Sequence, residues 1–474
     1  MTAATKEMTG QQVTTLQSTA ARLQRYDRPG PRYTSYPTAV EFSDRFDEGA
    51  YRGRLEAAAI ATDEPLSLYV HLPFCEERCL YCGCMTIITQ RHDVAAHYLE
   101  YLEREIEMVA TALQGRRKVI QHHWGGGTPT YFTVAEIERL HAAITRHFDV
   151  QVDAEIAIEI DPRATSRQQL RALRSLGFNR LSMGVQDFTP DVQSAIGRYQ
   201  PEHATRELYE YARAIGFNRI NIDLIYGLPR QNVESFSRTL AAVTAMRPER
   251  IAVYSYAHVP WLRPHQKHID ASELPSREVK WELIGTAIES FAGAGYMPIG
   301  MDHFALAEDE LAVAARERRL HRNFMGYTTR RATDMVGVGL SAIGEVSGAF
   351  AQNVKKLSSY FRAIDAGQLP TERGYMLTED DGIRRQIISE LMCNFFVDAA
   401  AIQTRFGVDV TRYFATEFEA LRAPGGPVSD GLLDISPRGI EVLPEGRLFV
   451  RTICMHFDRY LQRHQDRPTF SRTI

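Results

Sequence analysis

From about residue 65 the chain repeats one pattern, a short β-rich run followed by a longer segment with apolar residues three and four apart, and this alternation constrains the fold more than any other feature. The runs fall at 67–73, 119–124, 155–160, 180–185, 219–225 and 250–256, and the helical stretches between them include 97–113, 134–148 and 201–215. Strands that alternate with helices pair in parallel through crossover connections, so the spacing predicts an α/β fold of six βα units, either an incomplete barrel or a doubly wound sheet. In both, ligands bind beyond the carboxyl ends of the strands. Those ends carry the unusual chemistry of this chain. A cysteine cluster follows the first run, Gly125-Gly126-Gly127-Thr128-Pro129-Thr130 the second, Asp161-Pro162-Arg163 the third and Gln186-Asp187 the fourth, while Asp223 lies near the end of the fifth.

Four of the six cysteines, Cys75, Cys79, Cys82 and Cys84, fall within ten positions. In a reducing cytosol such a group binds metal more readily than it forms disulfides. Structural zinc needs a closed set of four ligands, usually two separated pairs, and no second pair follows at useful spacing. An iron–sulfur cluster is held by thiolates in tight runs of this kind. With three cysteines it keeps one iron open for chemistry; with Cys84 as a fourth ligand it becomes an electron-transfer centre; zinc is the third reading. Cys393 and Cys454 sit in apolar, helix-like surroundings and read as core.

Hydrophobic residues make up 44% and charged residues 24%, an ordinary globular mix, and the formal net charge is −4. That balance disfavours a nucleic-acid partner, and the basic run from Arg316 to Arg322 reads as a solvated face. No apolar run approaches the roughly 20 residues that span a bilayer, and the polar start MTAATKEMTGQQ is unlike a signal peptide, so the expectation is a cytoplasmic protein without membrane insertion. Prolines and glycines at 22–38 suggest an arm over the surface. Near the end, amphipathic segments at 381–396 and 448–463 enclose two short alternating runs, 432–435 and 440–443, around Ser436-Pro437-Arg438-Gly439, a hairpin beside helices as in a winged helix. The expected division is an N-terminal arm at 1–48, a catalytic domain at 49–375 with its barrel at about 65–260, and a mostly helical C-terminal domain at 376–474.

Cys75-x3-Cys79-x-Tyr81-Cys82 at the end of a first strand resembles the signature of the radical S-adenosylmethionine (SAM) superfamily, and Gly125-Gly126-Gly127-Thr128 resembles its glycine-rich motif, where only glycine lets the main chain come close to the amino group of SAM. A phosphate loop is excluded because no Gly-Lys-Ser/Thr follows. More narrowly, the segments Tyr69 to Cys75, Tyr81 to Cys84, His123 to Thr130, Leu181 to Phe188, Asn221 to Pro229, Gly300 to Phe304, Arg32 to Thr38 and Phe470 to Arg472 resemble the oxygen-independent coproporphyrinogen III oxidases, from about residue 20 onward. This resemblance implies a partial (β/α)6 TIM-like radical SAM barrel with an N-terminal arm and a winged-helix-like C-terminal domain. It also implies a [4Fe-4S] cluster on Cys75, Cys79 and Cys82, SAM on the fourth iron and a second SAM in the same pocket. Tyr69, Tyr81, Gly126, Gly127, Thr128, Glu159, Gln186, Arg198, Asp223, Ala257 and Ile343 would line the two SAM sites. Two of these are suspect on their own, since Glu159 and Asp223 lie among isoleucine and leucine, and a carboxylate buried there needs a cation or a hydrogen-bonding ligand.

The implied reaction is oxidative decarboxylation of two propionates of coproporphyrinogen III to vinyl groups, giving protoporphyrinogen IX for haem, with a 5′-deoxyadenosyl radical abstracting hydrogen from the propionate β carbon. A site covered by the arm and the C-terminal module would shield that radical. Other implied partners are an electron donor and an electron acceptor, and the chain is expected to be a monomer. Arg22, Arg25, Arg28 and Arg32 are candidate partners for the substrate carboxylates, Tyr33 and Tyr36 either touch substrate or pack the arm, and Cys84 is at most a neighbour of the ligands. The nearest rival is a haem carrier of the same superfamily. Such relatives typically have an aromatic residue where Cys84 stands, lack the arm from Arg32 to Thr38, and carry His-Asn-x-x-Tyr-Trp where this chain reads His321-Arg322-Asn323-Phe324-Met325-Gly326-Tyr327-Thr328. A plain four-cysteine electron carrier would not need the glycine loop, and a cluster-bearing winged-helix regulator fits poorly with the acidic balance.

Overall fold

The computed structural model describes residues 25–464 and 470–473; the polar start and Arg22 lie outside them. The chain forms two compact units, one from Ala39 to Glu379 and the other from the segment ending at Thr38 together with Asp380 onward. The expected arm therefore divides, with residues 39–48 belonging to the larger unit.

The six expected strands are present as β1 (Leu66–Leu72), β2 (Lys118–Gly126), β3 (Asp149–Ile160), β4 (Arg180–Gln186), β5 (Ile220–Tyr226) and β6 (Arg250–Ser255), paired in parallel in that order. Helices His92–Ala112, Val134–His147, Arg167–Ser175, Glu202–Ala214 and Val233–Met246 alternate with them. Three begin with reciprocal capping boxes, Thr133 with Glu136, Ser166 with Gln169 and Asn232 with Ser235, which end the preceding loops sharply and leave the strand mouths to the functional residues. One strand face packs under the helices: Leu68, Val70, Ile158, Met183, Ile222 and Val253 are buried with Leu102, Leu140, Leu173 and Leu240.

The sheet extends beyond the six strands. β7 (Tyr296–Gly300) and β8 (His303–Leu306) add antiparallel after β6, while β9 (Asp334–Val338), parallel to β1, continues through β10 (Ile343–Val346), β11 (Ala349–Asn353) and β12 (Thr371–Met376). The parallel set is thus seven strands.

The other strand face is polar. Ser67, Gln121, Glu155, Arg180 and Arg250 form its lowest layer, nearest the strand starts. Gln121 accepts from the Ser67 hydroxyl at 2.9 Å and donates to Glu155 at 3.1 Å; Glu155 accepts from Arg180 at 3.0 Å; and Arg250 donates to Asp309 at 2.9 Å and Glu310 at 3.0 Å. Burial works against a charge on Glu155, yet Arg180 and Arg250 hold its carboxyl down at about 2.

In the second unit, helix Glu379–Asn394 leads into a three-stranded sheet of β13 (Phe396–Asp398), β14 (Leu433–Ser436) and β15 (Gly439–Val442), on which helix Ala399–Phe406 packs, the expected hairpin being β14–β15. The segment 448–463 is not one helix. It breaks into Pro444–Phe449, Val450–Cys454, Met455–Phe457 and Leu461–His464; the backbone turns extended at Asp458, where the Arg459 amide donates to the Tyr36 hydroxyl, and Arg451 donates to the carbonyls of Gly30, Pro31 and Thr473. Tyr33 and Tyr36 are buried within this unit, donating to Asp458 and accepting from the Arg459 amide, so they pack the arm; Arg25 pairs with Asp430 at 2.6 Å. Cys393 and Cys454 are buried as expected.

Glu155→Ala should lower the stability of the barrel by about 3 kcal/mol, since it strands part of the Arg180 charge. In urea unfolding followed against pH, the wild-type advantage should be full above the unfolded glutamate value near 4.3 and vanish as pH falls toward about 2.

Candidate active site

Just past β1 the chain makes a two-residue ladder, Phe74–Cys75 with Ile87–Ile88, closing the cysteine segment into a loop at the strand mouth. The Cys75 sulfur lies 3.4 Å from the Thr128 hydroxyl. The Cys79 sulfur accepts from Arg198 at 3.5 Å and Arg163 at 3.6 Å. Both guanidiniums are held by Asp161, which Arg198 grips with two bonds of 2.9 and 3.0 Å. Burial pushes the Cys75 thiol up to about 11, with repulsion from Cys82 and Cys79 adding to it, while a bond from Cys84 brings Cys82 down to about 6. Three thiols close enough to repel as thiolates, with two cations at one of them, fit a cluster whose irons each take one sulfur.

The glycine motif is shaped by the chain's own crowding. A Cβ on Gly127 would lie 2.6 Å from the Phe74 carbonyl oxygen, and one on Gly126, at φ +121°, 2.8 Å from the His71 ring. The Gly127 amide donates to Leu72 O and the Thr128 amide to Phe74 O, both at 2.8 Å, so the end of β2 clamps the root of the cysteine loop.

Glu159 accepts from the Gly126 amide at 3.1 Å and contacts His123 Nε2 at 3.3 Å, yet its side chain is 45% exposed, inside a barrel. Burial opposes its charge, but the bonds from His123 and Gly126 prevail and hold its carboxyl below the usual range. Tyr69 stacks on His123 and bonds His71 Nδ1 at 2.9 Å; burial keeps His71 neutral. Asp223 accepts from Ser182 and Asn221 at 2.9 Å each, and burial raises it to about 6. Gln186 sits at φ +70° and its amide folds over Gly184, whose carbonyl accepts from Arg198 at 2.7 Å. Gln266, fully buried, donates to the carbonyls of Tyr81 and Ala257 at 3.2 Å each, tying the cysteine loop to the segment after β6. Ile343 opens β10 and its carbonyl backs onto Gly337, the β9 partner of Tyr69.

The residues expected from sequence thus gather at the strand mouths in linked groups: Cys75 with Thr128, Cys79 with Arg198 and Gln186, Gly126 with Glu159 and Tyr69, Tyr81 with Ala257, and Asp223 below them. His71, His123 and Gln266 act in the same groups without having been singled out, as do Asp161 and Arg163, which the sequence marked only by their place after the third strand. The Ser67–Tyr69–His71 alternation could have flagged His71; nothing in the sequence marks Gln266.

A thiolate loop clamped by a glycine turn at the mouth of a parallel βα sheet defines a radical SAM protein, and the Radical SAM superfamily pattern matches residues 69–243, with the HemN C-terminal domain pattern at 377–449. The oxygen-independent coproporphyrinogen III oxidase of Salmonella typhimurium is 48% identical, covering 96% of this chain and 98% of its own, and that of Escherichia coli is 47% identical over the same shares. The solved E. coli coproporphyrinogen III oxidase, described as a radical SAM enzyme, superposes with a TM-score of 0.87 at 46% identity, covering 90% of this chain and 97% of that one. The chain belongs to the oxygen-independent coproporphyrinogen III oxidase family.

Two outcomes follow from the geometry. Gly127→Ala should drive the β2 end off Phe74 and reduce cluster incorporation, read as iron content and charge-transfer absorbance after reconstitution. Asp223 has a folded value of about 6, above its unfolded value, so its ionisation costs stability progressively as pH rises from about 4 to about 6, and the cost is full above that. Asp223→Asn should therefore be more stable than wild type by about 1 kcal/mol well above that pH, with the gain gone near the unfolded aspartate value of about 4 in thermal melts.

Proposed function

We propose that the chain catalyses the oxygen-independent oxidative decarboxylation of two propionates of coproporphyrinogen III, giving protoporphyrinogen IX. The observation that carries this reading is a complete cysteine, glycine and carboxylate constellation in a chain nearly half identical, end to end, to enzymes of that name. Cys75, Cys79 and Cys82 hold the [4Fe-4S] cluster, and Tyr69, Tyr81, Gly126, Gly127, Thr128, Glu159, Gln186, Arg198, Asp223, Ala257 and Ile343 line the sites of two SAM molecules. When bound, cluster and SAM supply a 5′-deoxyadenosyl radical that takes a hydrogen atom from the propionate β carbon.

The protein's part is placement and charge. Arg163 and Arg198 offset the thiolate charge at Cys79. Glu159, ionised and open to the barrel interior, suits the sulfonium or ribose hydroxyls of SAM. Each decarboxylation leaves one electron over, so an external acceptor is required as well as a donor. No described helix is long and apolar enough to cross a membrane.

The test is anaerobic incubation of the reconstituted protein with SAM, a reductant and coproporphyrinogen III. We expect 5′-deoxyadenosine and protoporphyrinogen; protein that retains haem and releases neither would overturn the reading in favour of a haem carrier. Cys82→Ser should lose the cluster and both products. Cys84→Ser should keep the cluster and SAM cleavage, and its loss of the cluster would mean four-thiolate ligation.

A further inference from the structure

A histidine–carboxylate pair lies at the polar face of the sheet, away from the cysteine loop. β8 begins at His303, which stands opposite Ala252 of β6; Ala252 stands opposite Asp223 of β5, and Asp223 opposite Gly184 of β4. Residues directly across a ladder project to the same face, so His303 shares the inner face with Asp223, and the two lie close enough to interact electrostatically. Its Nδ1 is 2.7 Å from Asp302 Oδ1, and its ring is held edge-on between Tyr254 and Tyr327, with centroids at 5.8 and 5.1 Å. A flipped ring would lose the Asp302 contact. Nε2 makes no hydrogen bond among the described residues, and the side chain keeps 16% exposure.

Four arginines of the same face are paired with carboxylates, and a fifth, Arg322, lies over the Tyr327 ring at 5.3 Å. Arg163 and Arg198 both bind Asp161, and Arg180 and Arg250 are held by Glu155, Asp309 and Glu310 in the lowest layer. His303 presents its second nitrogen at the level of Asp223. With Nδ1 turned to Asp302, Nε2 is the nitrogen left to donate to an anion that arrives at the inner face.

We infer that His303, positioned by Asp302, binds a carboxylate inside the barrel, either a propionate of the tetrapyrrole or the carboxylate of a SAM molecule. The inference rests on the proposed function for the identity of these two ligands. A propionate held this way stays ionised, the form that can leave as carbon dioxide, and its β carbon is fixed relative to the strand mouths.

The test uses reconstituted holoenzyme and the variants His303→Ala, His303→Gln and Asp302→Asn, with coproporphyrinogen III and SAM titrated separately, the latter through the electron paramagnetic resonance of the reduced cluster. Loss of one charge-assisted bond predicts a roughly ten- to hundredfold rise in one dissociation constant for His303→Ala, with iron content and melting temperature unchanged. His303→Gln and Asp302→Asn should give smaller rises for the same ligand and decide the matter if the alanine variant does not fold. Weakened coproporphyrinogen with intact SAM binding assigns a propionate, with KM rising more than kcat falls; the reverse assigns SAM. Both constants within twofold of wild type in variants that keep the cluster would overturn the inference. Wild-type protein that binds both ligands yet forms no product would instead sink the proposed function, and the binding comparison would still decide the role of His303.

Discussion

The hydrogen bond from the Gly126 amide to Glu159 fixes more of this molecule than any other single contact. It ties the end of β2 to β3, and the same turn donates from Gly127 and Thr128 to Leu72 and Phe74, the residues from which the cysteine loop departs. Position of the sulfurs thus depends on a carboxylate that is itself half open to the barrel interior. A group used in this way is held from behind, by an amide and by His123, so that its remaining lone pairs stay oriented for a ligand.

Below that contact the polar face separates into layers of different purpose. In the lowest, Glu155, Asp309 and Glu310 face Arg180, Arg250 and, 3.9 Å from Glu310, Arg219. One layer up, Asp223 has only the neutral donors Ser182 and Asn221, and Glu159 has a histidine and an amide. Buried carboxylates without cations cost stability, and Asp223 shows it in a value raised to about 6. Such a cost is the usual mark of a site completed by its ligand.

The parallel strands were legible because each is a short apolar-alternating run bounded by chemistry or turns, as in Ile156–Ile158–Ile160 beside Glu155 and Glu159. The closing edge was not: Asp334–Val338 pairs with a strand more than 260 residues earlier, and no local pattern encodes that partner. The segment 448–463 has helical spacing, but at Asp458 the backbone turns extended and the Arg459 amide donates to Tyr36 of the arm, a contact between distant segments that no local spacing encodes. The cysteines and glycines announce themselves through residue type. Gln266 does not, since an amide between two carbonyls has meaning only after folding, and His303 was visible as part of a motif whose partner, Asp223, is brought beside it by two strand pairings.

Charge is therefore arranged along the strands, and the whole-chain value of −4 conceals it. The lowest layer is balanced, the middle is acidic, and the mouth carries Arg163 and Arg198 beside Cys79 with Asp161 between them. A sulfonium is favoured where the carboxylates are, and thiolate-held iron where the guanidiniums are, because in a poorly hydrated interior these differences act over several ångströms with little screening. A carboxylate entering the same space meets repulsion from Glu159 and Asp223 unless something on that face offers a proton. The pairing of His303 with Asp302, set opposite Ala252 and next to Asp223, is the feature of the middle layer that answers that requirement.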